Sequence, residues 1–284
     1  MNSRLRLSSI SLCSANPGKR IDADIVKYPK LEEMFGKYPV HDPLIFKRDD
    51  RFFLALSFEV PEVPLKDETC IGVDLGERRF AITSDGLMLN DKEYNARRRR
   101  VRYLKRCLQK KGTKSAYRHK LCKKEHRQSN DMCCRVANAI IESTDASIIV
   151  LEDLSRIKQK TSKTKDGKKR KDHNRRISQV PFYKLKQLLS YKALLAGKRV
   201  ETVSPFMTSK TDCTTGKKNG TRKNRRFYCK NGTVLDSDWN AAINIARKSK
   251  HPFSFKMPLD GTLKTWRAGR LSTVRSYCKP AMAT

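Results

Sequence analysis

The sequence predicts an α/β protein, because three stretches combine strand-like and helix-like apolar patterns. Ile71, Val73 and Leu75 alternate with Gly72 and Asp74, and the chain then turns back as a hairpin by residue 86. Residues 146–154 form a second β-rich apolar run. Residues 182–195 carry leucines at helical spacing, and residues 199–203 follow with a strand pattern. Strands and helices in this order are expected to form one sheet covered by helices.

Each of three separated elements carries a carboxylate where a metal ion could reach it. Asp74 lies within the first apolar strand, Glu152 ends the second run, and Asp238 precedes a short helical pattern. A carboxylate in an apolar strand costs free energy unless a partner such as a cation compensates for it. Carboxylate oxygens suit Mg²⁺ or Mn²⁺. We therefore expect the three side chains to converge on one divalent-cation site.

Two of these assignments have alternatives among neighbouring residues. Asp153 follows Glu152 and points to the other face of a strand, so it is the second candidate at that position. Asp236 and Asp238 are both placed to cap the following helix, which is a common role for aspartate. The residues alone leave open which of the two is the cap.

The three acidic motifs in this order resemble the split nuclease motifs of the RuvC domain. They read GVDLG at 72–76, VLEDL at 150–154 and DSDWNAAINI at 236–245. More narrowly, the stretch from Ile45 to Arg247 is similar to TnpB, the transposon-encoded RNA-guided nuclease related to type V CRISPR effectors. The resemblance implies an RNase H-like mixed sheet flanked by helices, with a basic helical insertion and a remnant N-terminal β segment.

The resemblance also implies an activity and a set of site residues. Asp74, Glu152 and Asp238 would be catalytic metal ligands for Mg²⁺ or Mn²⁺ in a two-metal hydrolysis of DNA. Asn240 of the third motif would orient a ligand or contact a phosphate. A guide RNA would read the target by base pairing, so RNA and DNA are the expected partners. The alternatives are a descendant that binds RNA or DNA without cutting, as a repressor or guide-RNA carrier, and an unguided junction or flap nuclease.

The charge of the chain independently indicates a polyanionic partner. Its 63 Lys and Arg against 29 Asp and Glu give a formal net charge of +34, which argues against an ordinary enzyme of small molecules. No apolar run approaches the ~18 residues of a membrane helix, so we expect no membrane partner. The basic residues predicted to contact nucleic acid are Arg78, Arg79, Arg97, Arg98, Arg99, Arg100, Lys168, Lys169, Arg170, Lys171, Arg225 and Arg226.

The predicted organisation has three parts. Residues 1–66 are a remnant β-rich segment like the guide-RNA-binding region of TnpB, residues 67–248 are the nuclease domain, and residues 249–284 are a poorly ordered tail. The nuclease domain contains a basic helical insertion at 92–145, a basic mobile loop at 155–178 and a degenerate zinc-ribbon loop at 204–233. Because the N-terminal segment is short for this family, a protein that supplies the missing region is a further expected partner.

The zinc-ribbon region lacks the ligands that a structural zinc ion needs. A TnpB-like ribbon has two Cys-x-x-Cys pairs. Alignment places Asp212 and Thr215 at the first pair and Cys229 and Gly232 at the second, while Cys213 is out of register by one. Two thiolates do not close a tetrahedral site, so we expect no structural zinc and a basic loop in its place.

Cysteine usage bears on the compartment. The nine cysteines show no disulfide-like spacing, which is typical of a reduced intracellular protein. We therefore expect a cytoplasmic or nucleoid-associated protein, or a nuclear one if the host is eukaryotic.

Overall fold

The computed structural model describes residues 4–6, 8–13, 16, 18–65, 67–77, 79–112, 116–155, 180–253, 262–267 and 270–275. The chain divides into two compact units, Met1–Glu62 and Val63–Thr284. No helix in the described ranges is long and apolar enough to cross a membrane.

The first unit contains short strands and one helix. Its elements are β1 (Arg4–Leu5), β2 (Ser9–Cys13), β3 (Arg20–Asp24), α1 (Pro29–Lys37), β4 (Leu44–Arg48) and β5 (Arg51–Ala55). The first three strands form an antiparallel sheet, and β4 and β5 form a hairpin. Asp49 and Asp50 have φ of 47° and 59°, the left-handed conformation that a tight two-residue hairpin turn requires.

The second unit is built on a seven-stranded mixed sheet in the order β10-β9-β6-β7-β8-β14-β15. The elements up to the third motif are β6 (Cys70–Leu75), β7 (Ala81–Thr83), β8 (Leu87–Leu89), α2 (Lys92–Lys110), α3 (Ala116–Glu142), β9 (Ile148–Glu152), α4 (Phe182–Leu195) and β10 (Arg199–Val203). The remaining elements are β11 (Thr221–Lys223), β12 (Arg226–Tyr228), β13 (Val234–Asp236), α5 (Ser237–Lys248), β14 (Thr262–Arg267) and β15 (Arg270–Arg275).

The alternation of side chains along β6 assigns each residue to one face of the sheet. Ile71 and Val73 pack in a core that α3 and α4 cover. Cys70 packs on the opposite face with Ile245 of α5. Asp74 shares its parity with Cys70, so it faces the side of the sheet that α5 covers. Helices on both faces match the predicted α/β architecture.

The helical insertion contains two helices. Helix α2 ends at Lys110 and α3 begins at Ala116, with Gly112 between them at φ 64°. A positive φ is easy for glycine and ends a helix. The α3 side chains on the core face include Met132, Val136 and Ile140.

The region after residue 249 differs from the expected poorly ordered tail. Strand β14 pairs parallel with β8 and antiparallel with β15, so two strands extend the sheet. Leu263 is buried next to Ile82 and Trp239. The stretch is too short to stand out by pattern, and its partner is the distant edge of β8. The other tail residues, and the predicted basic loop after Ser155, lie outside the described residues.

Candidate active site

The pairing of β6 with β9 brings the first two predicted acids together. These strands are parallel, and their register places Val73 beside Leu151. The next residues along the two strands are Asp74 and Glu152, which therefore lie side by side at the carboxyl ends of the strands. Both have the parity of the face that α5 covers. Two distant acids become neighbours because parallel strands end at the same edge.

The third acid arrives at the start of α5. Asp236 is the N-cap, and its carboxylate accepts a hydrogen bond from the backbone N–H of Asp238 at 3.0 Å. Asp238 is thus in the first turn, with its side-chain carboxylate directed to the cleft described below. Asp236 is therefore the residue that caps the helix, which the sequence alone had left open between Asp236 and Asp238.

Two arginines pair with these acids. Arg79 Nη1 lies 2.6 Å from Asp236 Oδ1 and 3.3 Å from Asp238 Oδ2. Arg222 Nη2 lies 3.4 Å from Asp238 Oδ1. The Asp236 side chain is 2% exposed, so its bond to Arg79 is shielded from water. Arg222 was not among the predicted site residues, although it belongs to the basic stretch before β12.

The electrostatics around Asp74 favour a cation. Burial, followed by the negative charges of Glu152 and Asp238, raises the pKa of Asp74 well above its usual value, and the positive charge of Arg222 opposes this. The donor set consists of carboxylate oxygens, which fit Mg²⁺ or Mn²⁺. Among the described residues, no three His, Cys, Asp or Glu side chains stand close enough to hold one ion as they are. Binding a metal therefore requires the side chains to draw together.

Two cavities open beside the acids. One of about 860 Å³ contains Asp74 and Asp238 in its wall and is bordered by the β11–β12 hairpin. Its lining includes Arg79, Arg222, Lys223, Arg225 and Arg226. A second cavity of about 910 Å³ lies between Glu152 and the start of α4. The first cavity combines fixed acids with a basic wall, which suits a phosphodiester that approaches a metal.

Known proteins share sequence and fold with this chain. Residues 182–245 match the family model described as the Cas12f1-like TNB domain. The chain is 35% identical over 129 residues to the CRISPR-associated endodeoxyribonuclease Cas12f2 of Micrarchaeota archaeon (strain CG1_02_47_40). That alignment covers 41% of this chain and 23% of the relative, so the chain spans about a quarter of its length.

A solved structure shows the same fold. The cryo-EM structure of a Cas12f1–sgRNA–target DNA complex matches with a TM-score of 0.50 at 18% identity, over 71% of this chain and 55% of that chain. The chain resembles Cas12f proteins. This confirms the predicted RuvC-type α/β fold.

The structure separates the predicted nucleic-acid contacts into accessible and inaccessible residues. Arg99 and Arg100 are exposed on α2, and Arg225 and Arg226 are exposed beside the cleft. Arg97 is half-exposed and pairs with Glu93 at 3.4 Å. Arg78 and residues 168–171 lie outside the described residues.

Two of the residues predicted to contact nucleic acid are buried in the structure. Arg98 is buried, and its guanidinium lies 5.8 Å from the centre of the Tyr94 ring one turn earlier in α2. It therefore packs against Tyr94 and is not exposed to a phosphate. Asn240 is fully buried; its side chain accepts from Cys213 N at 2.9 Å and donates to Thr211 O at 2.8 Å. Its amide therefore connects α5 to the ribbon segment.

The degenerate ribbon is folded as a small sheet of β11, β12 and β13. Cys213 and Cys229 are buried in a core with Phe227, Leu235 and Trp239. A hydrogen bond with Cys213 and then burial raise the pKa of Cys229, so its thiol stays protonated. The cysteines act here as small core side chains.

Asp212 connects the two turns that zinc ligands would otherwise join. It is fully buried, and its Oδ1 accepts from Thr214 N at 2.8 Å while its Oδ2 accepts from Lys230 N at 2.8 Å. Burial alone would raise the pKa of Asp212, but these hydrogen bonds outweigh it, and the pKa lies below its usual 3.8. One carboxylate thus links the turn at 212–216 to the turn at 229–232.

We expect the substitution Asp212→Asn to destabilise the ribbon by about 1–3 kcal/mol, because the amide N–H₂ cannot accept the Lys230 bond. The folded pKa is lowered, so the wild-type stabilisation is complete above the unfolded pKa and is lost as pH falls below about 4. Thermal unfolding at neutral and acidic pH measures both effects. Asp131→Asn, at a half-exposed i,i+4 pair, is the control. Equal melting curves for Asp212→Asn and wild type would contradict the prediction, and a zinc chelator is expected to change neither.

Proposed function

We propose that this chain is the nuclease portion of a metal-dependent, RNA-guided DNA endonuclease. The observation that carries the proposal is the convergence of Asp74, Glu152 and Asp238 on one face of the sheet. They come from two adjacent parallel strands and the start of one helix. The similarity to a protein named as an endodeoxyribonuclease, and to a Cas12f1 chain solved with sgRNA and target DNA, supports it.

Asp74, Glu152 and Asp238 are the residues that would hold the cation, with Asp74 in the central, bridging position because its strand fixes it. A bound Mg²⁺ or Mn²⁺ supplies an activated water and stabilises charge on the phosphate that is cut. The basic cleft wall formed by Arg225 and Arg226 would bind the DNA backbone without reading its sequence. Sequence reading is left to the guide RNA.

The origin and partners of the chain belong to the same proposal. The order of its motifs and its basic insertion favour a TnpB-like protein encoded by a transposon. The exposed Arg99 and Arg100 on α2 would neutralise RNA or DNA phosphates. Guide RNA, target DNA and a further protein are the expected partners.

The decisive experiment combines bound RNA with a matched pair of variants. Full-length protein is purified, its bound RNA is sequenced, and Mg²⁺-dependent cutting of matching DNA is measured. We expect Glu152→Gln to lower the rate by about 100-fold or more, since removing a charged metal ligand costs at least a few kcal/mol. Asp153→Asn, one residue further on the other face, is expected to cut at nearly the wild-type rate. Equal loss in both variants would contradict Glu152 as the ligand.

One observation favours a second function. Arg79 pairs with Asp236 and Asp238 at the start of α5, and Arg222 pairs with Asp238. These guanidinium groups neutralise carboxylates that a metal would otherwise bind, as expected of a descendant that binds RNA or DNA without cutting. The same experiment separates the two functions. Bound RNA with no metal-dependent cutting in the wild type would favour the binding-only protein, and cutting without bound RNA would favour an unguided nuclease.

A further inference from the structure

The irregular segment 204–213, between β10 and the ribbon, is held by one stripe of α5. Asn244 Nδ2 donates to Thr208 O at 2.9 Å and to Thr211 O at 2.6 Å. Asn240 Nδ2 donates to Thr211 O, and Lys248 Nζ donates to Ser204 O at 2.9 Å. Residues 240, 244 and 248 are spaced by four and therefore share one face of the helix.

This segment presents one hydroxyl to the candidate active site. Thr208 is 2% exposed, and its Oγ1 donates a hydrogen bond to Glu152 Oε1. The preceding residue, Met207, has φ 65°, a conformation that a non-glycine residue adopts only when its surroundings hold it there. The hydrogen bonds from α5 and the conformation of Met207 thus fix the backbone on both sides of Thr208, and this backbone places the hydroxyl against Glu152.

Glu152 can direct its carboxylate in several ways, and the hydrogen bond from Thr208 favours one of them. Its side chain has three rotatable bonds and stands at the wall of the cavity of about 910 Å³ next to α4. The hydrogen bond from the buried Thr208 hydroxyl holds the carboxylate on the side of the sheet where Asp74 lies. Partners of this kind orient metal ligands, and their loss typically weakens metal affinity by about 10- to 100-fold.

We propose that Thr208 is a positioning residue that orients the Glu152 carboxylate toward the cation site. Helix α5 then contributes to the site in two ways. It carries Asp238 in its first turn, and its Asn244 side chain holds the turn that contains Thr208. The inference rests on the proposed metal-dependent function and goes beyond it, since none of the acidic motifs contains Thr208.

The test compares variants of the full-length protein by Mn²⁺ affinity, measured by electron paramagnetic resonance of free Mn²⁺, together with melting temperature. Thr208→Val keeps the branched shape but removes the hydroxyl, and Thr208→Ser keeps the hydroxyl. Thr211→Val is the matched control, because its hydroxyl donates to Met207 O at 2.9 Å in the same turn and does not bond Glu152.

We expect Thr208→Val to weaken Mn²⁺ affinity about tenfold at a nearly unchanged melting temperature. Thr208→Ser and Thr211→Val should bind as the wild type does. Wild-type affinity in Thr208→Val, or equal weakening in Thr211→Val, would overturn the inference. If Thr208→Val does not fold, Thr208→Ala provides the hydroxyl-free measurement. A wild type that binds no Mn²⁺ would refute the metal site itself, and the inference with it.

Discussion

The substitution Asp74→Ala is expected to lower the rate of guided DNA cleavage by about 1,000-fold or more. Asp74 faces the same side of the sheet as Glu152 and Asp238, and it is the one acid placed between them. Stabilisation of the reacting phosphate by a metal contributes several kcal/mol, and each 1.36 kcal/mol is worth about tenfold in rate. Single-turnover cleavage with saturating guide and Mg²⁺ measures the effect.

The same substitution is expected to leave the fold intact and to raise the melting temperature in the absence of metal. Burial and repulsion from Glu152 and Asp238 oppose the charge of Asp74, so its removal relieves an unfavourable interaction. Asp85→Asn, at the exposed turn between β7 and β8, is the control and should retain activity. Loss of both activity and folding in Asp74→Ala would assign the residue to structure, and retained cutting would exclude it as a ligand.

The substitution Gly72→Ala is expected to lower the free energy of unfolding by about 3 kcal/mol or more. An added Cβ would lie 2.1 Å from Ala242 O and 2.4 Å from Ala246 N, both backbone atoms of α5. A helix backbone cannot rotate out of the way as a side chain can, so α5 must move off the sheet. Because α5 carries Asp238, cleavage should fall as well.

Urea unfolding followed by tryptophan fluorescence measures this change, since both tryptophans of the chain lie in the Val63–Thr284 unit. Gly197→Ala is the matched control. Gly197 has φ 68° and open space around its Cα, so that variant should cost only the backbone strain of about 1–2 kcal/mol. An unfolding midpoint for Gly72→Ala at or above that of Gly197→Ala would contradict the close packing of α5 on β6.

Much of this site followed from local patterns. The alternation around Asp74 predicted both its strand and the face of the sheet that it occupies. The β-rich run before Glu152 and the acidic start of the helical pattern at Asp238 were also readable, because each depends on neighbours in the chain. The missing zinc cysteines were equally visible.

Other features were not readable because they depend on residues far apart in sequence. Arg98 and Asn240 looked like polar contacts for nucleic acid, yet packing buries both. Arg222 pairs with Asp238 only because the β11–β12 hairpin folds back over the cleft. Strand β14 finds its partner in β8 across more than half of the chain, which no local pattern encodes.

Sequence by itself determined the strands and the helix of the three acidic motifs and the carboxylates that they carry, since strand and helix periodicity are local properties of the chain. Tertiary structure decided what those groups touch: the pairing of Arg79 with Asp236, the bridge of Asp212 between two turns, and the hydroxyl of Thr208 on Glu152. Each of these contacts joins segments whose meeting depends on strand register and helix packing, and both are set by the whole fold.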